Sequence, residues 1–359
     1  MKENKQQHIV IVGGGLAGSF LAMRLCRRGH RVSLFDDKKP GGASMAAAGL
    51  YNVITGRYGA KTWEAEKLLE EIKALFSQRE WDKLRSYVQP SLIYRPFKTE
   101  EERQKWVERR EDPAFRNLVS FQDAPWKEHT IINPFGGIRI LPCGWVNIPG
   151  LIKAIPPLLE SRFSFRYFPS HLSYNQIDLK KREVALDGLK IGFDHIVFAE
   201  GYRLKENPFF SFLKIVPNKG EILALKALDW QLPFVVSKKV YLIPWGQDHY
   251  VLGSNYQRYF DHPHPTKEGR EEIESYLQKA IKGRYEVIDH WAGIRPTTPN
   301  HKAIVGTHPE REKVHVLGGF GTKGILQGPY FSRLLAEIIE GREVEIPKEA
   351  GIERFLKAK

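Results

Sequence analysis

At 359 residues, 42% of them hydrophobic and 12% aromatic, the chain is long enough for one large α/β domain or two interleaved ones, and its composition disfavours disorder. No run of about 18 apolar residues is present to span a membrane, and two cysteines, Cys26 and Cys143, offer neither a disulfide framework nor a metal cluster. Lysine and arginine number 55 against 42 acids, and the resulting +13 favours an anionic partner (acidic substrate, nucleic acid or membrane surface) unless the mixed charges only solvate the surface.

From the N-terminus, Met1–His8 is polar and the apolar run Ile9–Val12 is too short for a signal-peptide core, so a cytoplasmic protein is expected. His8–Val12 reads as a short buried strand, followed by a glycine turn, a helix from about Leu16 to Arg28 ended by Gly29, and a second strand Arg31–Phe35. Such a βαβ unit takes the right-handed crossover. Trp63–Ser77 has Leu68, Leu69, Ile72, Leu75 and Phe76 on one helical face, and Thr99–Asp112 interleaves both charge signs as an exposed helix does. Cys143 falls in a turn-like Leu-Pro-Cys-Gly-Trp, and Gly150–Leu159 reads as a helix shortened by Pro156 and Pro157. Asp194–Ala199 is a further buried strand, ending at Gly201. From about Glu221 to Ser254 the pattern becomes antiparallel, with strands at Val240–Ile243 and Tyr250–Gly253. A helix over Lys267–Ile281, a strand Lys313–Leu317 and a helix Ile325–Ile339 complete the chain. His262 and His264 lack a partner cluster and belong in a loop rather than a metal site.

The residues Gly13-Gly14-Gly15-Leu16-Ala17-Gly18 satisfy G-x-G-x-x-G between a strand and a helix. Gly13 permits the tight turn, Gly15 the approach of backbone to a pyrophosphate, and Gly18 the packing of helix on strand. The helix N-terminus offers its unpaired N–H groups to the phosphates. Asp36, ending the second strand beside Asp37, is placed to accept ribose hydroxyls, the lesser alternative being an exposed strand-end carboxylate. A second match, Gly319-Phe320-Gly321-Thr322-Lys323-Gly324, also precedes a helix, but too little chain follows for another βα unit. It suits a helix N-terminus aimed at an electron-rich part of a ligand, or a plain glycine turn.

Four segments together resemble the D-amino acid oxidase superfamily of FAD-dependent oxidoreductases, glycine oxidases above all. They are the first glycine loop with Asp36; Gly42–Gly49 (GASMAAAG); Asp194–Gly201 (DHIVFAEG); and Trp291–Gly328, with WAGIRPTTPNHKAIVGTHP as its most specific part. The resemblance implies a Rossmann-type FAD-binding domain (1–86, 140–215 and 290–359) interleaved with an antiparallel-sheet substrate domain (87–139 and 216–289). It implies non-covalent FAD, since no cysteine lies beyond Cys143. Ala43, Ser44, Ala47, Ala48 and Gly49 would run beside the flavin, Leu172 touch adenine, and Gly201 close the third segment. Gly319, Gly321, Thr322, Lys323, Gly324 and Ile325 would hold the pyrimidine edge, with Lys323 adding charge there or remaining solvated. Arg295 matches the arginine that grips a substrate carboxylate, a contact suited to a guanidinium fork, and Tyr241 matches a pocket tyrosine. Two departures stand out: Leu50–Arg57 is not the usual sequence after the alanines, and Glu200 replaces a small residue.

The implied activity is oxidation of the C–N bond of a small amine or amino acid (glycine, sarcosine or a D-amino acid) by hydride transfer to flavin N5, with oxygen or another acceptor taking the electrons. Two rival readings are oxidative removal of a carboxymethyl group from a modified tRNA base, which the +13 charge suits, and a flavoprotein without turnover.

Overall fold

The computed structural model describes residues 5–56, 59–122 and 130–356. Two sheets carry the architecture. The first has six strands in the order Ile304–His308, Arg311–Gly318, His195–Phe198, His8–Val12, Arg31–Phe35 and Phe165–Phe168, parallel throughout except for the hairpin joining the first two. Its central strands are continuous apolar runs because both faces are covered. The helices Leu16–Arg27 and Gly324–Ile339 pack against each other over this sheet, with Phe20, Leu21, Tyr330 and Phe331 in the core between them.

The second sheet orders eight strands as Tyr285–Thr297, Val216–Ala227, His249–Gly253, Tyr241–Pro244, Val235–Ser237, Val88–Pro96, Gly137–Val146 and Leu50–Tyr51, with Val119–Gln122 pairing beside Gly137–Val146. It is antiparallel apart from the parallel pair Val235–Ser237 and Val88–Pro96. Thus residues 140–146, assigned to the cofactor half by sequence, lie in a strand of this second sheet. Helix Lys267–Gln278, started by Thr266 accepting from the Gly269 amide, covers its far face through Ile273 and Leu277.

Two local expectations need correction. The helix read as Gly150–Leu159 runs Ile148–Glu160, straight through Pro156 and Pro157. Asn147 caps its start, and Ile148, Leu151, Ile152, Ile155, Leu158 and Leu159 bury one face, which offsets the two hydrogen bonds the prolines cannot donate. Cys143 sits in a strand, not a turn; its thiol is buried, donates to Ser91 O and Ile140 O, and burial pushes it up to about 12. No helix among the described residues is long and apolar enough to cross a membrane.

Candidate active site

Between the two sheets runs one continuous cleft of about 2770 Å³. Its first end is the glycine turn after Val12. Gly13 has φ +107, and a Cβ there would strike Ala199 O; one at Gly14 would stand 2.8 to 2.9 Å from the Asp36 side chain; one at Gly15 would stand 3.0 Å from Ser44 Oγ. Three side chains are missing where backbone must come close, a cradle shaped for a diphosphate. The helix that begins at Leu16 has no acidic residue in its first turn, so its dipole is left for a ligand, although Ser44 Oγ accepts from the Leu16 amide at 3.1 Å. Burial raises Asp36 above the ordinary carboxylate range, and Asp37 adds to this. Asp37 itself is opposed by burial but brought down to about 2 by Arg203 at 2.8 Å and the Lys39 amide.

Leu172, Ala17, Ala43, Ala47, Ala48, Gly49 and Gly201 all line this cleft. Gly18 and Gly319 do not. A Cβ at Gly18 would collide with Gly13 O, so that glycine serves helix packing; one at Gly319 would stand 2.9 Å from Ile304 and Thr298. Gly321, Thr322, Lys323, Gly324 and Ile325 also line the cleft, where the 16-residue helix Gly324–Ile339 starts with Lys323 at its N-cap. Burial and nearby Lys302 lower Lys323.

Arg295 comes from the strand Tyr285–Thr297 and is 9% exposed. Its Nη1 donates to Asn218 Oδ1 at 2.9 Å and Lys219 O at 3.4 Å; Nη2 donates to Ser254 Oγ and to Asn255 O at 3.1 Å. The Tyr256 ring stacks 4.5 Å from the guanidinium. No acidic side chain pairs with it among the described residues, and burial lowers its pKa. The nearby acid, Glu221, is spent elsewhere: it is fully buried and takes Lys219 at 3.1 Å, His290 at 2.9 Å and the Thr266 amide and hydroxyl. Arg295 is therefore a buried cation held by neutral oxygens, and it lines the cleft together with Asn218 and Ser254. Tyr241 faces the same cleft; its hydroxyl accepts from Asn52 Nδ2 at 3.4 Å, and burial raises its pKa.

Several participants were not legible as site residues: Asn218, Ser254 and Asn255 behind Arg295, and Asn52 beside Tyr241. Glu200, noted only as a departure, lines the cleft with its carboxylate held by Tyr174 at 3.0 Å and Asn207 at 2.7 Å, and burial raises it to about 7.

A family model described as FAD dependent oxidoreductase matches residues 8–338. The chain belongs to this family. Its members' flavin fits what the fold provides here, a side-chain-free turn, a strand-end carboxylate and two helix N-termini on one cleft. This FAD-dependent oxidoreductase is 26% identical over 358 residues to the tRNA 5-methylaminomethyl-2-thiouridine biosynthesis bifunctional protein of Marinobacter nauticus, a match covering 92% of this chain and 55% of that protein. The chain thus spans about half the length of that relative. It is 24% identical over 359 residues to glycine oxidase of Pseudomonas aeruginosa, covering 94% of this chain and 96% of the relative. The crystal structure of glycine oxidase from Geobacillus kaustophilus superposes with a TM-score of 0.79 at 21% identity, covering 95% and 97% of the two chains. That likeness establishes the shared fold.

Proposed function

We propose that this flavoenzyme oxidises the C–N bond of a small amine bearing a carboxylate, with Arg295 gripping that carboxylate. The observation that carries the reading is the buried guanidinium on the cleft, which has no acidic partner among the described residues. A substrate carboxylate would supply the missing counter-charge. Bound non-covalently between the glycine turn and the Gly324 helix, FAD would supply the acceptor for the two electrons and hydrogen leaving the carbon next to nitrogen. Arg295 orients, fixing which C–H faces the cofactor. Tyr241, kept protonated by burial, offers a hydroxyl to the substrate's polar end. The Gly321–Ile325 turn and Lys323 present positive charge to the middle of the cleft. Gly13, Gly14, Gly15 and Asp36 hold the diphosphate and ribose, and Leu172 the adenine.

The test is an absorbance spectrum of the purified protein followed by anaerobic addition of glycine, sarcosine, proline and D-amino acids. Bleaching of the flavin bands by at least one of them is expected, with Arg295→Ala requiring about tenfold to a hundredfold more substrate. Wild-type behaviour in that variant would remove the assigned role. A second reading, oxidation at a modified tRNA base, is favoured by the Marinobacter relative's name and the +13 charge. It requires tRNA binding that weakens steeply with salt, and salt-independent or undetectable binding would exclude it.

A further inference from the structure

Two residues of the strand Val216–Ala227, Lys219 and Glu221, hold both ends of one loop, the segment 254–266 between the strand His249–Gly253 and the helix Lys267–Gln278. At the loop's start the Glu221 amide donates to Asn255 Oδ1 at 2.8 Å, and the amides of Lys219 and Gln257 each donate to the other's carbonyl at 2.9 Å. At its end Lys219 Nζ donates to His264 O at 2.9 Å, and the Glu221 carboxylate accepts from the Thr266 hydroxyl at 2.8 Å and the Thr266 amide at 2.9 Å. The loop thus leaves and rejoins the sheet at the same two residues.

Both side chains are withdrawn from water, Glu221 at 0% and Lys219 at 2% exposed, with Nζ 3.1 Å from Oε1. A Cβ at Gly269 would land on the Glu221 carboxylate, so the first turn of the helix closes directly over it and its dipole favours the negative charge. A buried ion pair of this kind adds little stability over apolar side chains of the same volume. It provides instead directed contacts to a carbonyl, a hydroxyl and an amide, which apolar side chains cannot make.

The same assembly supplies three of the four oxygens around Arg295: Lys219 O, Ser254 Oγ and Asn255 O. Asn255 faces both ways, its side chain on the Glu221 amide and its carbonyl on Arg295 Nη2. The next residue, Tyr256, lays its ring 4.5 Å from the guanidinium. We infer that Glu221, with Lys219, is the positioning residue of the carboxylate grip: by closing both ends of this loop on one strand it fixes the oxygens and the ring that aim Arg295. The inference rests on the carboxylate-binding role of Arg295 proposed above and names what holds that arginine in place.

The test titrates FAD-loaded protein with acetate, read by perturbation of the flavin spectrum, in wild type, Glu221→Gln, Thr266→Val and Thr266→Ser, each with and without Arg295→Ala. Glu221→Gln should weaken acetate about fivefold to tenfold and Thr266→Val about threefold, while Thr266→Ser, which keeps the hydroxyl, should bind as wild type does. FAD affinity should be unchanged in all three, which a general loss of structure would not allow. In the Arg295→Ala background the first two substitutions should add nothing, because their effect passes through the guanidinium. Should Glu221→Gln fail to fold, the valine and serine variants of Thr266 decide. Wild-type acetate binding in both Glu221→Gln and Thr266→Val, or an equal further loss without Arg295, overturns the positioning role and leaves Arg295's own role standing. Acetate binding indifferent to Arg295→Ala removes the carboxylate reading and this inference with it.

Discussion

A guanidinium withdrawn from water keeps its charge only where oxygens surround it, and Arg295 meets four, from Asn218, Lys219, Ser254 and Asn255. Those contacts engage both Nη groups, and the residue itself lines the cleft. Arg295→Lys should therefore be costly although it keeps the charge: one ammonium cannot satisfy the four oxygens and a carboxylate together. We expect KM for a carboxylate amine to rise about tenfold to a hundredfold with FAD affinity unchanged, which steady-state kinetics and flavin titration would separate. Gly220→Ala tests the same geometry, because its Cβ would land on Nη2 of Arg295. Glu200 makes a different prediction. Its folded pKa, raised to about 7 by burial, lies above the usual carboxylate value, so the folded chain binds the extra proton and stability falls as pH climbs from about 4.5 to 7. Glu200→Gln should remove that loss and be at least as stable as wild type in urea at pH 8. A variant markedly weaker there would show that Tyr174 and Asn207 require the carboxylate.

At the scale of elements, the strand–turn–helix at the N-terminus is built on backbone touching backbone. A methyl group at Gly18 meets Gly13 O, which no side-chain movement relieves, so Gly18→Ala should cost about 1–3 kcal/mol and weaken FAD binding, measurable by unfolding and by cofactor titration. The same sheet hides a polar chain: Gln7 Nε2 lies 3.3 Å from His195 Nε2, His195 Nδ1 2.8 Å from His315 Nε2, and His315 Nδ1 2.9 Å from Thr307 Oγ1. With both rings neutral, each nitrogen has a proper donor or acceptor. Burial holds His195 near 4 and His315 near 3, so the unfolded chain takes up protons first and stability drops as pH falls from about 6.5 to 4. This slope opposes that of Glu200, and Glu200→Gln should expose it as a plain acid loss. These elements were legible to the extent that pattern is local: the strand His8–Val12, its glycine turn and the helix after it follow from apolar periodicity over twenty residues. The helix Ile148–Glu160 was read too short because proline chemistry is local while the apolar face that overrides it is tertiary.

For the whole molecule, the cleft exists because the strand Tyr285–Thr297 of the second sheet is stitched to the segment leaving the first. Ile294 N donates to Gly41 O at 2.9 Å, and Trp291 Nε1 donates to Ala46 O at 3.0 Å. Arg295, on that strand, is in this way held at a set distance from the glycine turn. Sequence pattern and family resemblance pointed to Arg295, Tyr241 and Asp36 individually, but the partners of Arg295 lie 40 to 77 positions away and meet it only through strand register, which no local signal carries. The parallel pairing between Val88–Pro96 and Val235–Ser237 inside an otherwise antiparallel sheet was hidden for the same reason. A ligand lying along such a cleft contacts both sheets at once and is lost when either unfolds. FAD should accordingly stabilise the chain by mass action, about 2.7 kcal/mol at a hundred times its Kd, or roughly 3–4 °C in Tm for a chain of this length. The shift should grow with the logarithm of FAD concentration. Asp36→Ala, removing the proposed ribose contact, should displace that curve to higher FAD by about tenfold with little change in the Tm of the cofactor-free protein. Arg295→Ala should leave the curve in place, because its proposed contact is with the substrate carboxylate and not with the cofactor. Thermal unfolding across an FAD series distinguishes these cases: a Tm indifferent to FAD, or a curve moved by Arg295→Ala and not by Asp36→Ala, would mean that the diphosphate and sugar do not lie at the glycine turn.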